Sequence, residues 1–166
     1  RDAVLGKNGI LEGAKEGLDI IDMSSIAPLE SKAIAAECLK HGVHMMDAPV
    51  SGGEPKAVDG TLSIMCGGPK ALFDKYHELL MTMGASAVHC GEVNGAGNTV
   101  KLANQIIVAS NIAAVAEGFM LAKKAGVKEL WLTHYSPALN RPEQYIEDVR
   151  QIFQNSYPGK DKKSLE

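Results

Sequence analysis

With 166 residues and 17.6 kDa, the chain has the length of one domain and hardly of two. Hydrophobic residues at 45% and charged ones at 22% exclude a disordered chain, and a net charge of -3 excludes the basic footprint of a nucleic-acid binder. No stretch reaches the ~20 continuous apolar residues of a membrane span, and no basic-then-apolar leader opens the sequence.

Leu18-Asp19-Ile20-Ile21-Asp22-Met23 is a short apolar run that stops at Ser24-Ser25, which predicts a buried strand opening into a loop. Pro28 stands at a helix start, and Leu29, Ala33, Ile34 and Ala36 recur at helical spacing until His41-Gly42 stops the helix. Val43 to Ala48 predicts a second strand, ended by Pro49 and a Ser51-Gly52-Gly53 loop. Thr61 to Cys66 alternates and stops at Gly67-Gly68, which predicts a third strand. Ala71 to Met83 is an amphipathic helix and Ala85 to His89 a fourth strand. Strands alternating with helices imply an α/β layer with a largely parallel sheet. Asn98 to Ala125 is apolar and alanine-rich with no breaker before Gly126, which predicts a long buried helix. In the tail, Glu129 to His134 reads as a strand and Pro142 to Phe153 as an amphipathic helix.

Composition shifts along the chain. The last 39 residues hold Gly159 as their single glycine, yet carry Trp131, Tyr135, Tyr145, Phe153 and Tyr157, five of the eight aromatics. The expected organisation is therefore a glycine-rich body over residues 1–95, a long helix over 96–126 and an atypical tail over 127–166. Cys38, Cys66 and Cys90 form no CxxC, which argues against a disulfide framework or a zinc cage and reads as a reduced, cytoplasmic-type protein. Arg1-Asp2-Ala3, without an initiator Met, is the opening expected of a fragment.

Three strand ends carry small polar residues, and in an open α/β sheet ligands bind at such ends. Ser51-Gly52-Gly53 suits an anion, because two glycines let backbone N–H groups approach and the hydroxyl adds a donor. Ordinary turn chemistry accounts for the same three residues. Gly95-Ala96-Gly97-Asn98-Thr99-Val100-Lys101 is neither a dinucleotide fingerprint, since Val100 replaces the third glycine, nor a Walker loop. It does place a lysine in the first turns of an apolar helix. A cation there opposes the helix macrodipole, at a cost of roughly 0.3–1 kcal/mol when exposed, and gives up its proton more readily. Lys101 and Asn104 are i, i+3 and share a face. A snorkelling lysine beside an exposed Asn is the alternative reading. The five histidines show no metal-binding spacing, so no metal site is expected.

Asp47-Ala48-Pro49-Val50-Ser51-Gly52-Gly53, then Gly60-Thr61-Leu62, then Gly95-x-Gly97-x3-Lys101-x2-Asn104-Gln105 resemble the β-hydroxyacid dehydrogenase family in order and spacing, and Ile21-Asp22-Met23-Ser24-Ser25-Ile26-Ala27-Pro28 and Gly52-Gly53-Glu54-Pro55 add to the resemblance. The likeness runs over residues 1–126. It implies the second half of a Rossmann-like nucleotide-binding domain followed by a long helix, and hydride transfer between NAD or NADP and a small hydroxy or oxo acid. By the same resemblance Lys101 is the catalytic lysine, Asn104 holds substrate, and Ser51, Gly52 and Gly53 line its carboxylate site. Ser25 lies on the nicotinamide side, and the full-length family forms homo-oligomers. The family's opening strand–GxGxxG–helix unit has no counterpart here. The tail from Glu129-Leu130-Trp131-Leu132-Thr133-His134 through Gly159-Lys160-Asp161 resembles instead the C-terminal end of ribonuclease Z-type metallo-β-lactamase-fold proteins, where such a histidine is a zinc ligand. A chimera accounts for both resemblances. A non-catalytic remnant and, further behind, a metal-dependent hydrolase fragment are the competing readings.

Overall fold

The apolar run at residues 18–23 becomes strand β1 (Asp19–Asp22), which lies parallel to β2 (His44–Asp47) with Asp19 opposite His44 and Asp22 opposite Asp47. A parallel pair needs a crossover, and helix α3 (Pro28–Lys40) supplies it, with proline in its first turn. Two short helices, α1 (Asp2–Leu5) and α2 (Ile10–Gly13), precede β1 and were not expected from the sequence. The computed structural model describes residues 1–128. The chain divides into two compact units, Arg1–Val115 and Ala116–Glu166.

On α3 the buried positions are Ser31, Ile34, Ala35 and Cys38, the i, i+3, i+4, i+7 face that an amphipathic helix lays on a sheet. Ile34, Ala35 and Cys38 pack with Val4, Ile20, Val43 and Met45 into one core cluster. The second cluster, Met46, Ala48, Ile64, Cys66, Leu72, Phe73 and Leu80, joins the later strands to helix α5 (Lys70–Met81). Asp19, the first residue of β1, ties the strand to α5 and β2. Its carboxylate accepts from Lys75 Nζ at 2.6 Å and Tyr76 OH at 2.9 Å, and pairs with His44 Nδ1 at 3.1 Å.

The sheet is parallel in its two longest pairings and antiparallel where they join. After β2, Pro49 cannot donate to a ladder, so the strand bends and resumes as β3 (Val50–Ser51). Both segments face β4 (Leu62–Gly67) in antiparallel register: Asp47 opposite Gly67, Val50 opposite Ile64, Ser51 opposite Ser63. The Pro49 carbonyl still accepts the Met65 N–H at 3.0 Å. β5 (Gly84–Gly91) returns parallel to the other edge of β4 after α5. Between β3 and β4 the expected loop continues as helix α4 (Gly53–Val58), entered through Gly52 at φ 142° and Gly53 at φ 64°. That backbone conformation favours glycine.

Helix α6 spans Ala96–Lys124, close to the expected bounds. At its end Gly126 takes φ 72°, its N–H bonds the Lys123 carbonyl, and the Val127 N–H reaches back to the Ala122 carbonyl. This paired closure is the Schellman motif, and Lys123 and Lys124 suit the negative helix end. Burial departs from expectation. In the first unit Gly97 and Asn98 are buried, but Ile106, Ile107, Val108, Ile112 and Val115 are 60, 60, 42, 65 and 46% exposed. Only the first turn seats on the sheet, so the later turns of this unit have no strand beneath them. By length and composition α6 could also cross a membrane, with mean hydropathy 1.5 over an 18-residue window, although it holds no run of ~20 continuous apolar residues and so leaves that expectation standing. That expectation asked for unbroken apolar residues, whereas the mean tolerates Ser110 and Asn111. The expected tail strand at 129–134, the helix at 142–153 and His134 lie outside the described residues.

Candidate active site

The site begins with a buried charge. Asp47, at the carboxyl end of β2, is fully buried, and an ionised carboxylate taken out of water must be well bonded or it is costly. Its Oδ1 accepts the Gly95 N–H at 2.6 Å and its Oδ2 the Asn98 N–H at 2.9 Å. These are amides at the N-terminus of α6, which have no intrahelical partner. Gly95 itself has no side chain to cap them, so a carboxylate from a distant strand does so, meeting the positive helix end with a full negative charge. The helix end that the sequence sets against Lys101 is therefore already matched by Asp47.

Close backbone contact explains the two glycines of the Gly95-Ala96-Gly97 turn. A Cβ on Gly95, which has φ 90°, would lie 2.5 Å from the Pro28 carbonyl oxygen, and one on Gly97 would lie 2.2 Å from that of Met65. The turn draws α6 against both the sheet and the β1–α3 loop. On the loop side, Asp22 Oδ1 accepts the Ser24 N–H at 3.0 Å, and Asn98 Oδ1 accepts the Ile26 N–H at 3.0 Å. Asn94 adds a bond from Nδ2 to the Met45 carbonyl at 2.6 Å.

Between the loop and the helix runs a cleft of about 330 Å³, with Ser25, Ile26, Ala27 and Pro28 on one wall and Asn98, Lys101, Leu102 and Gln105 on the other. The second set has the i, i+3, i+4, i+7 spacing of one helix face. Ser25 and Lys101, singled out from sequence, thus meet at one cleft. Lys101 Nζ donates to Gln105 Oε1 at 2.9 Å, and Asn104 Nδ2 approaches the same oxygen at 3.3 Å. Asn104 stands beside the lining residues without being one of them. Ser51, Gly52 and Gly53 lie at the end of β3 and the start of α4, outside this lining. Gln105, Asn98 and Asp47 are site-forming residues that chemistry-based reading passed over. Their signals were a charge ending an apolar strand and polar positions on the Lys101 face of an apolar helix.

Thiol and metal chemistry find little here. Cys38, Cys66 and Cys90 are free, and burial pushes the Cys66 thiol up to about 12, helped by Cys90 and Asp47. Burial raises the Cys38 and Cys90 thiols as well. Thiols held protonated are poor nucleophiles. Among the described residues no three His, Cys, Asp or Glu side chains gather as metal ligands would.

Two family profiles match in succession: the NAD binding domain of 6-phosphogluconate dehydrogenase over residues 1–91, and NAD-binding of NADP-dependent 3-hydroxyisobutyrate dehydrogenase over residues 95–134. A 2-hydroxy-3-oxopropionate reductase of Escherichia coli (strain K12) is 46% identical over 125 residues, 75% of this chain and 42% of that protein. The mitochondrial 3-hydroxyisobutyrate dehydrogenase of Bos taurus is 41% identical over 126 residues, 76% of this chain and 37% of that one. The structure of Mycobacterium tuberculosis 3-hydroxyisobutyrate dehydrogenase with L-serine superposes with a TM-score of 0.67 at 35% identity, covering 71% of this chain and 40% of that chain. The chain spans about two fifths of the length of these relatives. With its mixed α/β sheet and its long following helix, the chain belongs to the family of the NAD binding domain of 6-phosphogluconate dehydrogenase, and its later residues are similar to the NAD-binding segment of 3-hydroxyisobutyrate dehydrogenases.

Proposed function

We propose that the chain is part of an oxidoreductase that moves a hydride between NADH or NADPH and a short 2-hydroxy-3-oxo acid such as tartronate semialdehyde. The observation that carries this reading is the cleft that joins Ser25 to Lys101 across two distant parts of the sequence. Its apolar walls (Ile26, Ala27, Pro28, Leu102) and its few polar groups (Ser25, Lys101, Gln105) fit a flat ring bearing an amide. The 46% identity to a relative named for 2-hydroxy-3-oxopropionate supports the substrate class. When bound, the nicotinamide supplies the hydride, and the protein supplies orientation and charge.

Lys101 is the acid in this reading. Its ammonium, steadied by Gln105, donates a proton to the substrate oxygen as negative charge develops there. Asn104, one turn along the same face, bonds the substrate, and the Ser51-Gly52-Gly53 turn fixes its carboxylate through backbone N–H groups. Ser25 would hold the nicotinamide side of the cofactor.

Calorimetric titration of the 166-residue chain with NADH and NADPH tests the cofactor half of the proposal. Because these residues contain no G-x-G-x-x-G turn, the expected Kd is weaker than about 10 µM, with negligible turnover. Absence of any binding at millimolar cofactor would leave the non-catalytic remnant as the better reading. The substrate half is tested in an active enzyme containing this segment. There kcat/KM for tartronate semialdehyde should exceed that for methylmalonate semialdehyde by about tenfold or more, and the reverse order would refute the assignment.

A further inference from the structure

Three polar residues are buried among the described residues, Ser31, Asp47 and Asn98, and two of these bond each other. Asn98 Nδ2 faces Asp47 Oδ2 at 3.4 Å, and an ionised carboxylate can only accept. That fixes which way the amide points. Its carbonyl oxygen is left to meet the Ile26 N–H at 3.0 Å on the opposite wall of the cleft. Asp47 also bonds the Gly95 and Asn98 backbone amides, so the rotation of the first turn of α6 is set by the same carboxylate. Asn98 and Lys101 are one turn apart, and rotation of one is rotation of the other.

We propose that Asp47 and Asn98 are positioning residues that together fix the Ser25 loop opposite Lys101, setting the width of the cleft. The proposal rests on the functional reading of the cleft given above. Asp47 lies outside the cleft lining and acts through the helix turn, whereas Asn98, on the cleft wall, acts through its bond to the Ile26 amide. A cap that served stability alone would have no need of a side-chain amide bonded to the loop. Asp47 already holds the helix amides through its own two oxygens.

The Asn98→Ala variant separates these roles, since it keeps the Asn98 N–H bond to Asp47 and removes the bridge to Ile26. In the 166-residue chain, hydrogen exchange at the Ile26 amide should accelerate about tenfold or more while that at Ile20 in β1 stays unchanged. Affinity for NADH or NADPH, titrated by calorimetry, should weaken about fivefold or more. Unchanged exchange at Ile26 in Asn98→Ala overturns the proposal, and so does faster exchange with unaltered affinity. If the parent chain binds neither cofactor, the functional reading of the cleft fails, and the Ile26 exchange rates alone then decide whether the bridge holds the loop.

Discussion

Gly67 and Gly97 meet backbone to backbone: a Cβ built on Gly67 would stand 2.4 Å from the Gly97 nitrogen, and one on Gly97 3.0 Å from the Gly67 nitrogen. Strand β4 and helix α6 can approach this closely because neither has a side chain at the contact. Seating the first turn of α6 here brings Asn98 to Asp47 and Lys101 to the cleft.

Gly97→Ala should therefore destabilise the chain by about 1–3 kcal/mol, the scale of overpacking against backbone that cannot swing away. Gly118, in the same helix, has open space where a Cβ would stand, with nothing within 4 Å of it among the described residues. Gly118→Ala should stabilise by about 0.5–1 kcal/mol, because alanine loses less freedom on entering a helix. Urea unfolding of the two variants checks the contrast, and equal effects would remove the close approach as the reason for Gly97.

Lys101→Ala should lower turnover by at least ~100-fold in an active enzyme that contains this segment, with stability altered by no more than about 0.5 kcal/mol. The lysine's hydrogen bond to Gln105 is exposed, so its loss leaves the core untouched. Steady-state kinetics with kcat within about twofold of the parent would take Lys101 out of the mechanism.

Asp19 carries an acid-sensitive part of the fold. Burial alone would raise its carboxyl, but hydrogen bonds from Lys75, Tyr76 and His44 outweigh burial and hold it below the usual carboxylate range. A lowered folded value means that its stabilisation is complete above the unfolded value, about 3.9, and is lost as pH falls below it toward the folded one. Thermal unfolding of the parent should thus lose more stability than that of Asp19→Asn as pH drops from about 6 to about 3. Parallel acid limbs for the two proteins would refute the role of Asp19.

The exposed side chains of α6, Ile106, Ile107, Val108, Ile112 and Val115, are apolar surface of the kind that associates. Light scattering should show the 166-residue chain self-associating. Ile107→Lys with Ile112→Lys should shift it toward monomer without loss of helical circular dichroism. A parent that is monodisperse and monomeric would show that this surface is not available for association.

Alternation of strand and helix was legible in the sequence because it is written in local periods. The run at 18–23, the stop at His41-Gly42 and the end of α6 at Gly126 each depend on neighbours within a few residues. The Schellman closure at Gly126 is such a case: its bonds join residues three and five apart. The motif around Lys101 was legible too, as a pattern resembling a family. Tertiary structure decided what those residues touch. The N-terminus of α5 follows Pro69, which offers no side-chain cap, and Glu92 bonds the Lys70 amide instead. The N-terminus of α6 follows a glycine and takes Asp47. Both carboxylates come from other strands or turns, so no local window contains donor and acceptor together. The same holds for Ser25 and Lys101, which meet because the loop after β1 and the first turns of α6 are drawn together at one end of the sheet. It holds also for the exposure of α6, because hydropathy records what a side chain prefers and only packing determines whether a surface is there to cover it.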